Sequence, residues 1–313
     1  MTTMMATRDA YGEALKELGK LIKDVVVLDA DLSGSTKTGV FAKEFPERFI
    51  NVGIAEQNLI ATAAGLATTG KIPFASSFAM FAAGRAFEII RNSVAYPKLN
   101  VKIAATHAGL TVGEDGASHQ ALEDISIMRT IPNMVVLNPA DGVEAKAAIM
   151  KAAEYKGPVY IRLGRSKVPV IFDEADYKFE IGKGIKVKDG SDVTIIATGI
   201  MVALALEAAE ILKKEGLETR VINIHTIKPI DKDIIIEAAR ETKAIVTAEE
   251  HNIIGGLGSA VAEVLVESYP TVMERVGVKD TFGESGNGDE LLEKYGLTAE
   301  KIVEAARRAI GRR

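Results

Sequence analysis

The chain has 313 residues, 47% of them hydrophobic and 26% charged, with a formal net charge of −5 and no cysteine. Such a length suits two domains, and such a composition suits packed cores rather than disorder. The acidic balance leaves no footprint for nucleic acid, the absence of cysteine excludes disulfides and thiolate metal sites, and no apolar run resembles a signal segment or a membrane span, so a cytoplasmic protein is expected.

Short β-branched runs alternate with longer helical patterns along the chain. Val25–Leu28 reads as a buried strand that runs into Asp29-Ala30-Asp31-Leu32-Ser33-Gly34-Ser35. A helix is expected over Glu56–Thr68, an apparent strand over Ile72–Ala75 with Phe78 and Phe81 just beyond it, and a helix over Gly84–Ala95. Val101–Ala105 is the next strand, followed by a long glycine-punctuated loop to His119 and a helix over Gln120–Thr130. Strand Met134–Leu137, helix Gly142–Glu154 and strand Val159–Leu163 complete the series, the last ending at Gly164-Arg165-Ser166. Pro169, the acidic cluster Asp173, Glu174 and Asp176 and repeated glycines then mark a linker.

A second series follows, with strands at Val193–Ala197, Arg220–Ile224 and Ala244–Ala248. Helices are expected near Met201–Lys214, Asp231–Glu241, Gly258–Tyr269 and Ala299–Ile310. The fold class is therefore α/β, with two domains, each a mainly parallel sheet with helices on both faces. The boundaries are 1–170 for the first domain, 171–191 for the linker and 192–313 for the second.

In such sheets, ligands gather outside the carboxyl ends of the strands. The segments after Leu28, Ala105 and Leu163 should converge on one rim, carrying carboxylates, His107, His119, hydroxyls and Arg165. Glu56 opens its helix on a face shared with Ile60, Ala63, Ala64 and Ala67. By position it is either a surface carboxylate favoured by the helix dipole or a buried one able to share a proton with a ring nitrogen. Phe78 and Phe81 are either core or an aromatic wall for a flat heterocycle. The loop His107–His119, with Asp115 between its histidines, is either a solvent loop or a functional one; its histidines lack the usual zinc spacing. The second domain's strand ends are plainer apart from His225, His251 and the turn Gly255-Gly256, of which His251 and its turn read as structural, with nothing linking them to the first rim.

The stretch Asn51-Val52-Gly53-Ile54-Ala55-Glu56-Gln57-Asn58 resembles the transketolase segment whose glutamate contacts the aminopyrimidine of thiamine diphosphate. The stretch Ala105-Thr106-His107 through Val112-Gly113-Glu114-Asp115-Gly116-Ala117-Ser118-His119-Gln120 resembles that family's substrate loop, and Ile131-Pro132-Asn133 and Asn138-Pro139-Ala140-Asp141-Gly142 continue the likeness. The resemblance covers nearly the whole chain, but only the family's pyrimidine-binding and C-terminal domains. It implies a C-terminal subunit of a split, two-chain transketolase that moves a two-carbon ketol unit from a ketose phosphate to an aldose phosphate. It further implies that Glu56 protonates the pyrimidine, promoting ionisation at the thiazolium carbon, that Phe78 and Phe81 flank the ring, and that Asp31 lies near the cofactor. By the same resemblance His107, Asp115 and His119 bind sugar hydroxyls and the carbonyl oxygen, while Arg8, Ser35 and Arg165 hold the distal phosphate.

The family binds the diphosphate through Mg2+ or another divalent cation at a Gly-Asp-Gly motif, and no Gly-Asp-Gly occurs in this sequence. The resemblance thus assigns this chain no metal ligand. It implies a separate transketolase N-terminal subunit carrying the diphosphate and metal site, an α2β2 heterotetramer and sugar phosphates as ligands. Three other readings stay open: an enzyme similar to deoxyxylulose-phosphate synthase, which usually lacks the histidine at 107; the β subunit of a 2-oxo-acid dehydrogenase; and a non-catalytic scaffold of the same fold.

Overall fold

The computed structural model describes residues 3–313. Seven strands form the first sheet, in spatial order Thr226–Lys228, Val135–Leu137, Val159–Arg162, Lys102–Thr106, Ile72–Phe78, Val25–Asp29 and Phe49–Asn51. Neighbours are parallel except Thr226–Lys228, which pairs antiparallel with Val135–Leu137. The inner strands Val25–Asp29, Lys102–Thr106 and Val159–Arg162 are buried along their whole length, as expected where helices cover both faces of a parallel sheet.

The second sheet has five strands, in the order Val272–Val278, Ala244–Asn252, Val193–Ala197, Thr219–Asn223 and Ile185–Lys188. Only Ile185–Lys188 runs antiparallel to its neighbour. The architecture is therefore α/β with two mainly parallel sheets. Among the described residues no helix is long and apolar enough to cross a membrane.

Several elements differ from their sequence patterns. Ile185–Lys188 lies inside the stretch read as linker; its four residues alternate Ile and Val with Lys, which suits a half-buried edge strand but is too short to stand out. Thr226–Lys228, from the later part of the chain, adds itself to the first sheet. The helix expected from Gln120 begins only at Asp124, because the preceding residues tie down the loop: the Gln120 side-chain amide donates to the Leu110 carbonyl, and Ala121 bridges Ala108. Helix Thr7–Leu21, not foreseen, buries Ala10, Tyr11, Ala14, Leu15 and Leu18 at helical spacing and packs on helix Gly142–Glu154.

One apolar cluster joins the two sheets. It includes Ile125, Met128, Ile131 and Val136 of the earlier part and Ile196, Ile222, Ile224, Ile227 and Leu257 of the later part. A shared core of this kind holds the second sheet against the loops at the strand ends of the first.

Candidate active site

Adjacent parallel strands deliver their carboxyl ends to one edge, so the segments after Asp29, Phe78, Thr106 and Arg162 meet there. Beyond Phe78 the chain winds through two π-helical stretches, Met80–Arg85 and Ile90–Ala95, the first starting four residues before the helix expected over Gly84–Ala95. The run Ala82-Ala83-Gly84 has little side-chain bulk to oppose such widening, and π turns recur at functional sites.

Glu56 is the first residue of helix Glu56–Thr68, and it is buried, only 3% exposed. Its Oε1 accepts from Ser77 Oγ and its Oε2 from Arg85 Nη1, both at 3.1 Å. The Arg85 guanidinium in turn lies over Phe81, 4.3 Å from the ring centroid. Phe81 and Phe78 are nearly coplanar in orientation, with centroids 6.0 Å apart. Phe78 stacks on His107 at 3.9 Å, and His119 meets Phe81 edge-on at 5.1 Å. A carboxylate, a guanidinium, two phenyl rings and two imidazoles thus form one unbroken lining, with the ring geometries that aromatic quadrupoles favour.

His107 is held by both nitrogens. Arg8 Nη1 lies 3.0 Å from its Nε2, and Thr106 Oγ1 lies 2.9 Å from its Nδ1. A guanidinium can only donate, so Nε2 accepts and the ring proton sits on Nδ1, donating to Thr106. Burial, and then the charges of Arg8, Arg165, His119 and Lys37, push the His107 pKa down to about 3. The imidazole is therefore neutral at physiological pH, a fixed hydrogen-bonding group rather than a cation.

Arg8 also donates from Nη1 to the Ser35 carbonyl at 3.1 Å, while its Nε is buried without a hydrogen-bond partner. Arg165 pairs with Glu114 at 2.8 Å and reaches the Val112 carbonyl. Arg8, Thr111, Glu114, Arg165 and Ser166 line an open cleft of about 230 Å³ together with Asn287, Gly288 and Asp289 of the second domain. Two guanidiniums at one small polar cleft suit a tetrahedral oxyanion once Arg165 is released from its pair with Glu114, which lines the same cleft.

Not every candidate joins this lining. Asp31 is exposed and exchanges hydrogen bonds with Asn51, its φ of 66° placing it in the left-handed region. Ser35 offers Arg8 its backbone carbonyl. Asp115 is exposed at the end of the turn Leu110–Asp115.

Asp29 and Arg85 carry roles here that their sequence context does not assign. Buried Asp29 accepts from Leu32 N, Thr36 Oγ1 and Thr38 Oγ1 at 2.5, 2.6 and 2.8 Å, fixing the turn that presents Asp31 and Ser35; burial raises its pKa against the pull of these bonds. Arg85 follows Phe81 at helical spacing, which is the signal that could have found it. The structure also corrects the isolation of the second domain. His251 Nε2 lies 3.4 Å from Ser126 N, and Arg129 donates to the Gly255 carbonyl at 3.1 Å, so this turn packs on the helix Asp124–Thr130 that follows the loop. The sequence signal was the charged pair Glu249-Glu250 inside the apolar strand Ala244–Asn252.

Comparison with known proteins agrees with this layout. Residues 3–170 match the family described as transketolase, pyrimidine binding domain, and residues 182–302 match transketolase, C-terminal domain. A Methanocaldococcus jannaschii protein provisionally described as a transketolase C-terminal section is 60% identical over 95% of this chain and 93% of its own length. A 6-deoxy-6-sulfo-D-fructose transketolase subunit from a Clostridium species is 48% identical, over 96% of this chain and 92% of its own length. Human transketolase is 39% identical over 97% of this chain, which spans 49% of that longer protein. A solved structure titled as a split gene transketolase, inactive β4 tetramer, superposes with a TM-score of 0.92 at 62% identity, covering 98% of this chain and 99% of that one.

Proposed function

The chain belongs to the transketolase family, and from that premise we propose that it is the substrate- and pyrimidine-binding half of a thiamine-diphosphate enzyme whose diphosphate and cation site lies on a separate N-terminal subunit. The observation that carries this reading is the continuous lining from Glu56 through Arg85, Phe81, Phe78 and His107 to Arg8. It fits the pyrimidine end of the cofactor: a buried carboxylate beside aromatic rings is what a flat, proton-accepting heterocycle needs.

When bound, thiamine diphosphate supplies an electron sink that lets a carbon–carbon bond beside a carbonyl break and re-form. Glu56 holds a proton at the pyrimidine ring nitrogen. Arg85, 54% exposed, holds the Glu56 carboxylate from the solvent side and would have to give up that pair where the pyrimidine binds. Phe78 and Phe81 give the ring an apolar wall and exclude water. Once Arg8 turns to a substrate oxyanion, His107 Nε2 is left as an oriented acceptor for a sugar hydroxyl, and His119, half-buried beside it, offers a second polar contact.

For the other half, two supports exist. The C-terminal section from Methanocaldococcus jannaschii and the Clostridium subunit are matched over 93% and 92% of their own lengths, and the solved relative is described as a split gene transketolase in an inactive tetramer. An α2β2 assembly follows if the family's active-site contacts are kept between the two kinds of chain.

The donor in this reading is a ketose bearing a terminal oxyanion, bound by Arg165 and Arg8. The Clostridium relative is named for a sulfonate-bearing ketose, and sulfonate and phosphate are both tetrahedral anions. The test is ketol transfer by this chain mixed with a transketolase N-terminal subunit, comparing a ketose phosphate with pyruvate as donor. Arg165→Ala should lower kcat/KM for the phosphorylated ketose about 10- to 100-fold, as loss of a charged hydrogen bond does, and leave an unphosphorylated ketose nearly unaffected. Equal losses for both, or pyruvate as the better donor, would contradict it.

A further inference from the structure

Strand Ala244–Asn252 of the second domain carries Glu249, Glu250 and His251 just before its last residue, all three buried. Glu249 accepts from Leu257 N and Gly258 N at 2.7 and 2.8 Å, capping its own domain's helix Leu257–Ser268. Glu250 points the other way. Its Oε1 accepts from Thr111 N at 2.7 Å, in the middle of the loop between His107 and His119.

The backbone of Glu250 is tied to the same loop. Arg162 Nη2 donates to the Glu250 carbonyl at 2.9 Å and to the Ala121 carbonyl at 3.2 Å. Ala121 closes the loop, since Gly109 N donates to its carbonyl at 3.0 Å. Gly109 has φ +85°, and a Cβ there would stand 2.2–2.4 Å from the Glu250 carboxyl atoms. Glycine alone permits both that turn and that approach.

We propose that Glu250 is a positioning residue for the substrate loop, so that the second domain orders His107 and His119 before substrate arrives. The proposal rests on the functional reading above and deepens it. Ser166 Oγ, Arg165 and Gln120 also bond carbonyls of this stretch, at Thr111, Val112 and Leu110, so loss of the Glu250 anchor would loosen the loop in part, and the substrate would then bear that share of the ordering entropy. Arg162 and Glu250 hold the loop at its closing end and at its centre. No contact of Glu250 with substrate is required.

The test compares Glu250→Ala, Glu250→Gln and Gly109→Ala in the full-length chain by amide hydrogen exchange, and in the enzyme assembled with its N-terminal subunit by kinetics. Glu250→Ala and Gly109→Ala should speed exchange over residues 108–113 about tenfold or more, the loss expected for one buried hydrogen bond to a charged group. Strand Val193–Ala197 should be unchanged. Glu250→Gln, which keeps an acceptor oxygen of the same reach, should stay within about threefold of the parent chain. In the assembled enzyme KM for the sugar phosphate should rise by a factor similar to the exchange change, with kcat less affected.

Unchanged exchange at Thr111 in Glu250→Ala would overturn the proposal. So would faster exchange spread evenly through the second domain, which is the mark of a merely structural role, or faster loop exchange with KM unaltered. Absence of ketol transfer by the parent assembly would instead overturn the functional reading, and the exchange data would still decide whether Glu250 holds the loop.

Discussion

Glu56→Gln should lower ketol-transfer turnover about 1,000-fold, within the span that general acid–base groups contribute, while assembly and cofactor-independent stability stay near those of the parent chain. Glutamine keeps the size of the side chain; its amide oxygen can accept from Arg85 Nη1 while its N–H donates to Ser77 Oγ, where the carboxylate now accepts from Ser77 at Oε1 and from Arg85 at Oε2, both at 3.1 Å. What it loses is the ability to hold and release a proton. Arg85 is more than half exposed, so its loss of an ionic partner is screened by water and of small consequence for folding. Turnover is to be measured beside the assembled mass by size-exclusion chromatography with light scattering. Activity within tenfold of the parent enzyme, with the assembly intact, would remove Glu56 from the mechanism.

Asp124→Ala should be the most destabilising single change near the site, costing about 3–5 kcal/mol as the breaking of a buried ion pair does. Asp124 and Arg162 are 1% and 4% exposed, with Arg162 Nε 2.9 Å from Oδ2, and the buried Tyr160 hydroxyl donates to the same oxygen at 2.8 Å. Alanine would strand a guanidinium and a phenol in the core beneath the loop. Urea denaturation monitored by far-UV circular dichroism reads the loss as a lowered midpoint. Replacing both partners together with apolar residues, as in Asp124→Leu with Arg162→Met, should recover only part of it, because the Tyr160 hydroxyl loses its acceptor and the Ala121 and Glu250 carbonyls lose the Arg162 donor. A loss below about 1 kcal/mol for Asp124→Ala would mean that water reaches the pair, at odds with its burial.

Much of this was readable from residue pattern, for physical reasons that differ by element. Parallel strands buried on both faces, such as Val25–Asp29 and Lys102–Thr106, announce themselves as short apolar runs, and helix Glu56–Thr68 by its spacing. The rule that ligands gather at strand ends then located the rim, with His107 and Arg165 on it. The edge strands Ile185–Lys188 and Val272–Val278 were missed because their solvent-facing residues are charged and break the apolar run. The π turns of Met80–Arg85 carry no period that distinguishes them from an α-helix in six residues. The role of Glu250 was illegible for another reason: it is made by a hydrogen bond to Thr111, far away in the chain, and only the shared core between the sheets brings the two together.

The separate subunit is the centre of this account, and calorimetric titration of thiamine diphosphate with magnesium tests it most directly. The titration is run first into this chain alone, then into the chain mixed with the transketolase N-terminal subunit from the same organism. The account predicts weak or no heat from the chain alone and tight, saturable binding in the mixture, stoichiometric with the assembled sites. Tight binding to the isolated chain would contradict it, because the diphosphate site would then have to lie within these residues.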